Sequence, residues 1–138
     1  MTKLEGTVGI IQSVNTADYT ASVKFPEYNN EILDGLQILS PITFGNKITS
    51  IPKVNTPVFC IFLGDKTEKG YIIGSYFSDE NLSNSQEDEY KIDFQGASLT
   101  IKEDGNIELK GTLTKIDSEV IITGDTTIEK NMTVTQNV

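Results

Sequence analysis

Apolar and polar residues alternate along much of this chain with the two-residue period of a β-strand, and almost nowhere with the spacing of an amphipathic helix. Two early runs, GTVGIIQSV (6–14) and YTASVKF (19–25), read as strands joined by the short loop NTAD. Pro26 ends the second, because it has no N–H to give to a ladder. A turn-rich connection covers 27–56, with DGLQIL (34–39) as one short strand inside it. PVFCIFL (57–63) is nearly unbroken in its apolar character, which predicts a strand covered on both faces. The loop GDKTEKG then leads into YIIGSYF (71–77), completing a second hairpin. Two hairpins around a long connection suit a small closed barrel of about five strands.

The pattern changes at SDENLSNSQEDE (78–89), which is polar and acidic and reads as a linker or as an acidic edge loop of the barrel. The expected organisation is a barrel over 1–80, a linker over 81–89 and a repetitive segment over 90–138. From Tyr90 onward the chain is a string of short strands bounded by Gly, Asp-Gly or Asn. Leu99 and Ile101 recur as Ile107 and Leu109 at an offset of eight, with Asp104-Gly105 between them. The pattern then loosens through Leu113, Ile116, Val120 and Ile122 to Ile128, Met132 and Val134. Short strands recurring at a small fixed period mark a solenoid or β-helix.

One apolar residue in three or four, with open strand edges, does not offset the conformational entropy lost in ordering a single copy. Either the segment packs on the barrel, or several copies wrap round a shared axis and pair their edges with one another. The ladder-like spacing and the acidic linker favour wrapping, and three chains suit a narrow triangular section. The shared core would then hold Phe94, Leu99, Ile101, Ile107, Leu109, Leu113, Ile116, Ile122, Ile128, Met132 and Val134.

Composition narrows the chemistry. The formal charge is −9, and all 11 basic residues are lysine, with no arginine. A phosphate-binding surface wants clustered cations, arginine above all, so nucleic acid is not an expected partner. Histidine is absent, which removes the usual general base and the commonest metal ligand. The lone Cys60 allows neither an internal disulfide nor a cysteine zinc cluster. No apolar run approaches the ~18 residues of a membrane span. The start, MTKLEGTVGI, lacks a signal-peptide core, so the expected product is made in the cytoplasm and does not use the general secretory route.

Three places invite a chemical role. Cys60 sits in the middle of the most apolar strand, where a small buried hydrophobe fits better than a reactive thiol. Asp65 and Glu68 lie among Lys66 and Lys69, a mixed-charge loop that reads as solvated surface rather than a glycosidase pair. Asp104-Gly105-Asn106 starts like a calcium loop, yet lacks the further acidic ligands and reads as a turn. No catalytic, cofactor-binding or metal residue is assigned, and no enzymatic activity is expected. The aromatics Tyr19, Phe25, Tyr28, Phe44, Phe59, Phe62, Tyr71, Tyr76 and Phe77 are expected mainly in the core. Any that are exposed read as a docking surface, because the lysines are too scattered to make a base-stacking groove.

GTVGIIQSVNTADYTASVKFPE resembles the opening of the central spike proteins of contractile phage tails, the baseplate assembly protein V family. IPKVNTPVFCIFLGDKTEKGYIIGSYFSDEN is similar to a more specific stretch of that family: a Pro (Pro57), a Val-x-x-x-Phe strand (Val58 to Phe62), a Gly-Asp-x-x-x-Gly-like loop from Gly64-Asp65 to Gly70, and a Gly-x-x-Tyr/Phe exit from Gly74 to Phe77. The spikes of type VI secretion systems share the plan. The resemblance implies an all-β chain, with an N-terminal OB-type barrel followed by a C-terminal intertwined trimeric β-helix. It implies a homotrimer in the baseplate of a virion or tail-like particle, attached to a hub protein by its barrel and helping to pierce the target cell envelope. Many members end in a His-x-His tip that binds iron. This chain has no histidine and ends in MTVTQNV, so the expectation is a separate tip protein or a blunt spike. DGLQILSP stands where members often carry Trp-Leu-Pro, and no inserted lysozyme domain is present. An OB-type module for oligonucleotides or oligosaccharides is the competing function.

Overall fold

Among the described residues, eight strands and one 3-10 turn (Pro26–Tyr28) account for the regular structure: β1 (Leu4–Asn15), β2 (Thr20–Phe25), β3 (Glu31–Ile38), β4 (Pro57–Leu63), β5 (Gly70–Ser75), β6 (Glu89–Phe94), β7 (Ala97–Lys102) and β8 (Ile107–Lys110). This computed structural model describes residues 4–64 and 69–136. The chain divides into two units, Met1–Ser83 and Asn84–Val138.

In the first unit, β1 to β5 form a closed barrel in the order β1-β2-β3-β5-β4. Closure comes from a parallel pairing of β3 with β5, through Gln37 with Tyr71 and Ile38 with Ile72. Alternation sends Ile11, Val23, Phe25, Leu36, Ile38, Val58, Cys60 and Ile72 inside, joined by Ala21. Register shifts fall between Ile11 and Ser13 on β1 and between Ala21 and Val23 on β2. Such irregularities bend a strand sharply, which a barrel this narrow needs. The consecutive Thr20 and Ala21 are both buried, the Thr20 hydroxyl donating to Asp18 Oδ1 at 2.6 Å. Two glycines mark where the interior has no room for a methyl group. A Cβ on Gly9 would run into Val23, and one on Gly70 would lie 2.6 Å from the Phe62 ring.

The barrel departs from the sequence expectations in three ways. β3 starts at Glu31, not at Asp34, because Asn29 and Asn30 take positive φ after the Pro26–Tyr28 turn and reverse the chain at once. β4 is covered on one face: Val58 and Cys60 are buried, while Phe59 and Leu63 are more than a third exposed. A five-stranded barrel has a single interior, and an apolar run cannot be inside it on both sides. Finally, few aromatics are core residues. Phe25 is buried, with Phe62 edge-on to it at 5.7 Å and Tyr19 packed nearby. Tyr28, Phe44, Phe59, Tyr76 and Phe77 are exposed.

In the second unit, β6, β7 and β8 form an antiparallel sheet in chain order. Leu99 pairs with Leu109, and Ile101 with Ile107. The offset of eight in the sequence is therefore not a translation along a solenoid in this stretch. It is the mirror image made by a hairpin, whose tight turn at Gly105 (φ 84°) returns the strand on itself. Asp104 belongs to that turn, accepting hydrogen bonds from the Asn106 backbone N–H at 3.0 Å and the Asn106 side-chain amide at 2.9 Å. Residues 111–136 carry neither helix nor strand, and all of them are exposed. The established architecture is thus all-β, with a closed five-stranded barrel and a three-stranded meander.

Candidate functional site

The meander has two faces of opposite character. Register aligns Tyr90, Ile101 and Ile107 in one row across β6, β7 and β8, and Ile92, Leu99 and Leu109 in the next. Phe94 and Ala97 extend that same face. A row of this kind is what cross-strand pairing supplies for a buried sheet. Here it lies open: Ile101 is 40% exposed, Phe94 66% and Ile107 69%.

The opposite face satisfies itself. Lys102 Nζ donates to Glu108 Oε1 at 2.9 Å, and Lys110 approaches Glu108 Oε2 at 3.6 Å. The hydrogen bond and attraction from Lys102 hold the Glu108 carboxyl below its ordinary value, and Glu108 raises Lys102 in return. Thr100, between the charged side chains, is the one buried side chain among the described residues of this unit. Polar groups therefore pair with one another on one side, and the aliphatic groups lie open on the other.

Beyond β8 the exposed apolar residues continue through Leu113, Ile116, Val120, Ile121, Ile122, Ile128, Met132 and Val134. All eleven residues expected in a shared core lie in this second unit. The meander brings Phe94, Leu99, Ile101, Ile107 and Leu109 onto one face, and the other six follow in the segment after it. Tyr90 and Ile92 belong to the same face and were absent from that expectation. The alternation in YKIDF, which already includes Phe94, is the signal that reveals them.

The barrel offers less chemistry. Cys60 is fully buried, and the loss of water pushes its thiol up to about 11, so thiolate is scarce near neutrality. Asp65, Lys66 and Glu68 lie outside the described residues. Among the described residues, no three acidic or cysteine side chains are grouped to hold a metal ion. A cleft of about 480 Å3 is lined by Val8 and Ile10 of β1, Pro57 at the start of β4, and the acidic Asp79 and Glu80 among others. Those carboxylates suit a phosphate chain poorly.

One barrel loop displays an exposed aromatic ring. Ser40 Oγ donates to the Ile48 carbonyl, Ile48 N–H to the Ile42 carbonyl at 3.1 Å, and Ser50 N–H to the Tyr19 hydroxyl at 2.8 Å. These bonds brace a loop that presents Phe44 with 97% of its surface in water, beside Gly45 at φ 77°. Comparison with protein-family models finds none that matches this chain, and comparison with curated proteins finds no match either.

Proposed function

We propose that this chain is a structural protein, the central spike of a contractile phage tail or phage tail-like particle, and that it works as a homotrimer. The observation that carries the reading is the uncovered apolar surface of the second unit, which runs from Tyr90 on the meander to Val134. So much aliphatic surface in sequence order, backed by a self-satisfied polar face, calls for a partner that follows the chain along its length. Identical copies meet that need because each brings the same rows. The resemblance of the barrel sequence to the baseplate assembly protein V family supports the same reading. On this reading the second unit forms an intertwined β-helix, and the OB-type barrel binds the baseplate hub, with Phe44 among its contacts. No catalysis is required: the part transmits force when the sheath contracts and helps to breach the target cell envelope. A further tip protein at the spike's end is compatible with this role.

Light scattering on the purified full chain tests the proposal. The expected mass is that of three 15.2-kDa chains, unchanged on dilution. A monomer that binds single-stranded oligonucleotide or glycan would overturn it in favour of the OB-type binding module.

A further inference from the structure

The segment after β8 has a period of its own. Its bends fall at Thr112, at Ser118, at Gly124 and at Glu129 with Lys130, about six residues apart. Divided to match, the sequence reads GTLTKI, DSEVII, TGDTTI and EKNMTV, and the units end in Ile116, Ile122, Ile128 and Val134. Two residues before each of these stand Thr114, Val120, Thr126 and Met132, which strand alternation would put on the same side. Exposure follows the division. Val120, Ile122 and Ile128 are 57%, 63% and 51% exposed, whereas Leu113 and Ile121, at the alternate positions, are 83% and 87% exposed.

A six-residue extended side measures about 20 Å. Three such sides close a triangle, and the fourth unit then returns to the side of the first. A lone chain stacked on its own previous turn would pair those two units at the ~4.8 Å strand spacing. Among the described residues, none from 111 to 136 joins a strand or makes a backbone hydrogen bond outside one. The ladder bonds that must accompany burial of the aliphatic rows therefore fall to other chains. A partner of different period would slip out of register within a unit or two. Two more copies of this chain stay in step over all four.

We infer that residues 111–134 form one strand of a three-sided, three-chain coil with six residues to a side. The corners are Thr112, Ser118, Gly124 and Lys130. The axis-facing positions are the pairs Thr114 with Ile116, Val120 with Ile122, Thr126 with Ile128 and Met132 with Val134. The inference rests on the spike reading and deepens it by fixing the register: Val120 and Thr126 enter the axial row, while Leu113 and Ile121 belong to the outer surface.

Thiol accessibility in the full chain tests this register. Val120→Cys and Thr126→Cys place small thiols on the axial row, and Ile121→Cys and Thr127→Cys place them outside. The buried Cys60 stays silent and reports any loss of the barrel. A monofunctional maleimide is expected to modify the two axial thiols at least about ten-fold more slowly than the two outer ones. Light scattering on the same variants separates the two claims. A trimer whose four thiols react alike overturns the register and leaves the spike reading standing. A monomer with uniformly fast thiols overturns both. Axial variants that fail to assemble, beside outer variants that assemble and react fast, support the register.

Discussion

The barrel and the C-terminal unit are built from the same strand-forming residue types, yet they dispose of them in opposite ways. In the barrel, five strands close on themselves, and Ile11, Val23, Leu36, Val58 and Cys60 reach essentially complete burial within one chain. In the C-terminal unit, the equivalent alternation on β6, β7 and β8 leaves its aliphatic face open, with Thr100 alone buried among the described residues. The difference lies in closure. Three strands cannot curl far enough to cover their own face, whereas five strands bent by register shifts and relieved at Gly9 and Gly70 can. The contrast teaches that a strand pattern promises a buried face without saying which chain will bury it.

The contrast can be broken most sharply at Ile101, the centre of the row Tyr90–Ile101–Ile107. Ile101→Asp puts a charge where the proposed trimer buries three identical side chains. It is expected to convert the trimer to a monomer over the micromolar range, a shift of at least about 100-fold in assembly, consistent with the several kcal/mol cost of unpaired buried charge. Light scattering reads the mass, and the barrel's near-ultraviolet dichroism is expected to persist. A variant that stays trimeric would show that this face is not the interface.

A core truncation sharpens the other side of the comparison. Leu36→Ala removes a side chain that is 2% exposed inside the barrel and is expected to cost about 2–5 kcal/mol in denaturant unfolding of that unit. On the proposed reading, in which assembly belongs to the second unit, the mass in native buffer should stay that of a trimer. Loss of both together would show that the two units are not independent in this respect.

The smallest effect is a pH dependence confined to the barrel. Burial raises the Cys60 thiol from 9.0 to about 11, so between these values the folded chain keeps a proton that the unfolded chain releases. The stability due to the neutral thiol is therefore full below pH 9 and is lost as pH rises toward 11, on the order of 2 kcal/mol. Denaturant titrations at several alkaline pH values should show that slope in the native sequence and a flatter one in Cys60→Ala. Equal slopes in both would place the alkaline sensitivity elsewhere.

Much of the barrel is legible in the chain. The runs ending at Phe25, beginning at Pro57 and following Gly70 all lie where alternation and punctuation put them. The start of β3 is less legible, because two asparagines in the left-handed region can reverse a chain as abruptly as glycine does. The spacing of Leu99, Ile101, Ile107 and Leu109 is compatible with a repeat displaced by eight and with a hairpin reflected about Asp104-Gly105. Periodicity counts residues and carries no sense of strand direction. The exposed Phe44 was equally hidden, since nothing in the letters of its loop distinguishes a core aromatic from a displayed one.

By itself the sequence determined the all-β class of structure and roughly where most of the barrel strands lie. Strand propensity, two-residue alternation and the backbone limits of proline and glycine are local, acting over a few neighbouring residues. Tertiary structure alone decided that β3 meets β5 in parallel to close the barrel, that β7 and β8 run antiparallel, and that the meander's apolar face stays uncovered in a single chain. Those outcomes depend on pairings between distant residues and on how far a sheet can curve, and neither is written in any short stretch of the chain.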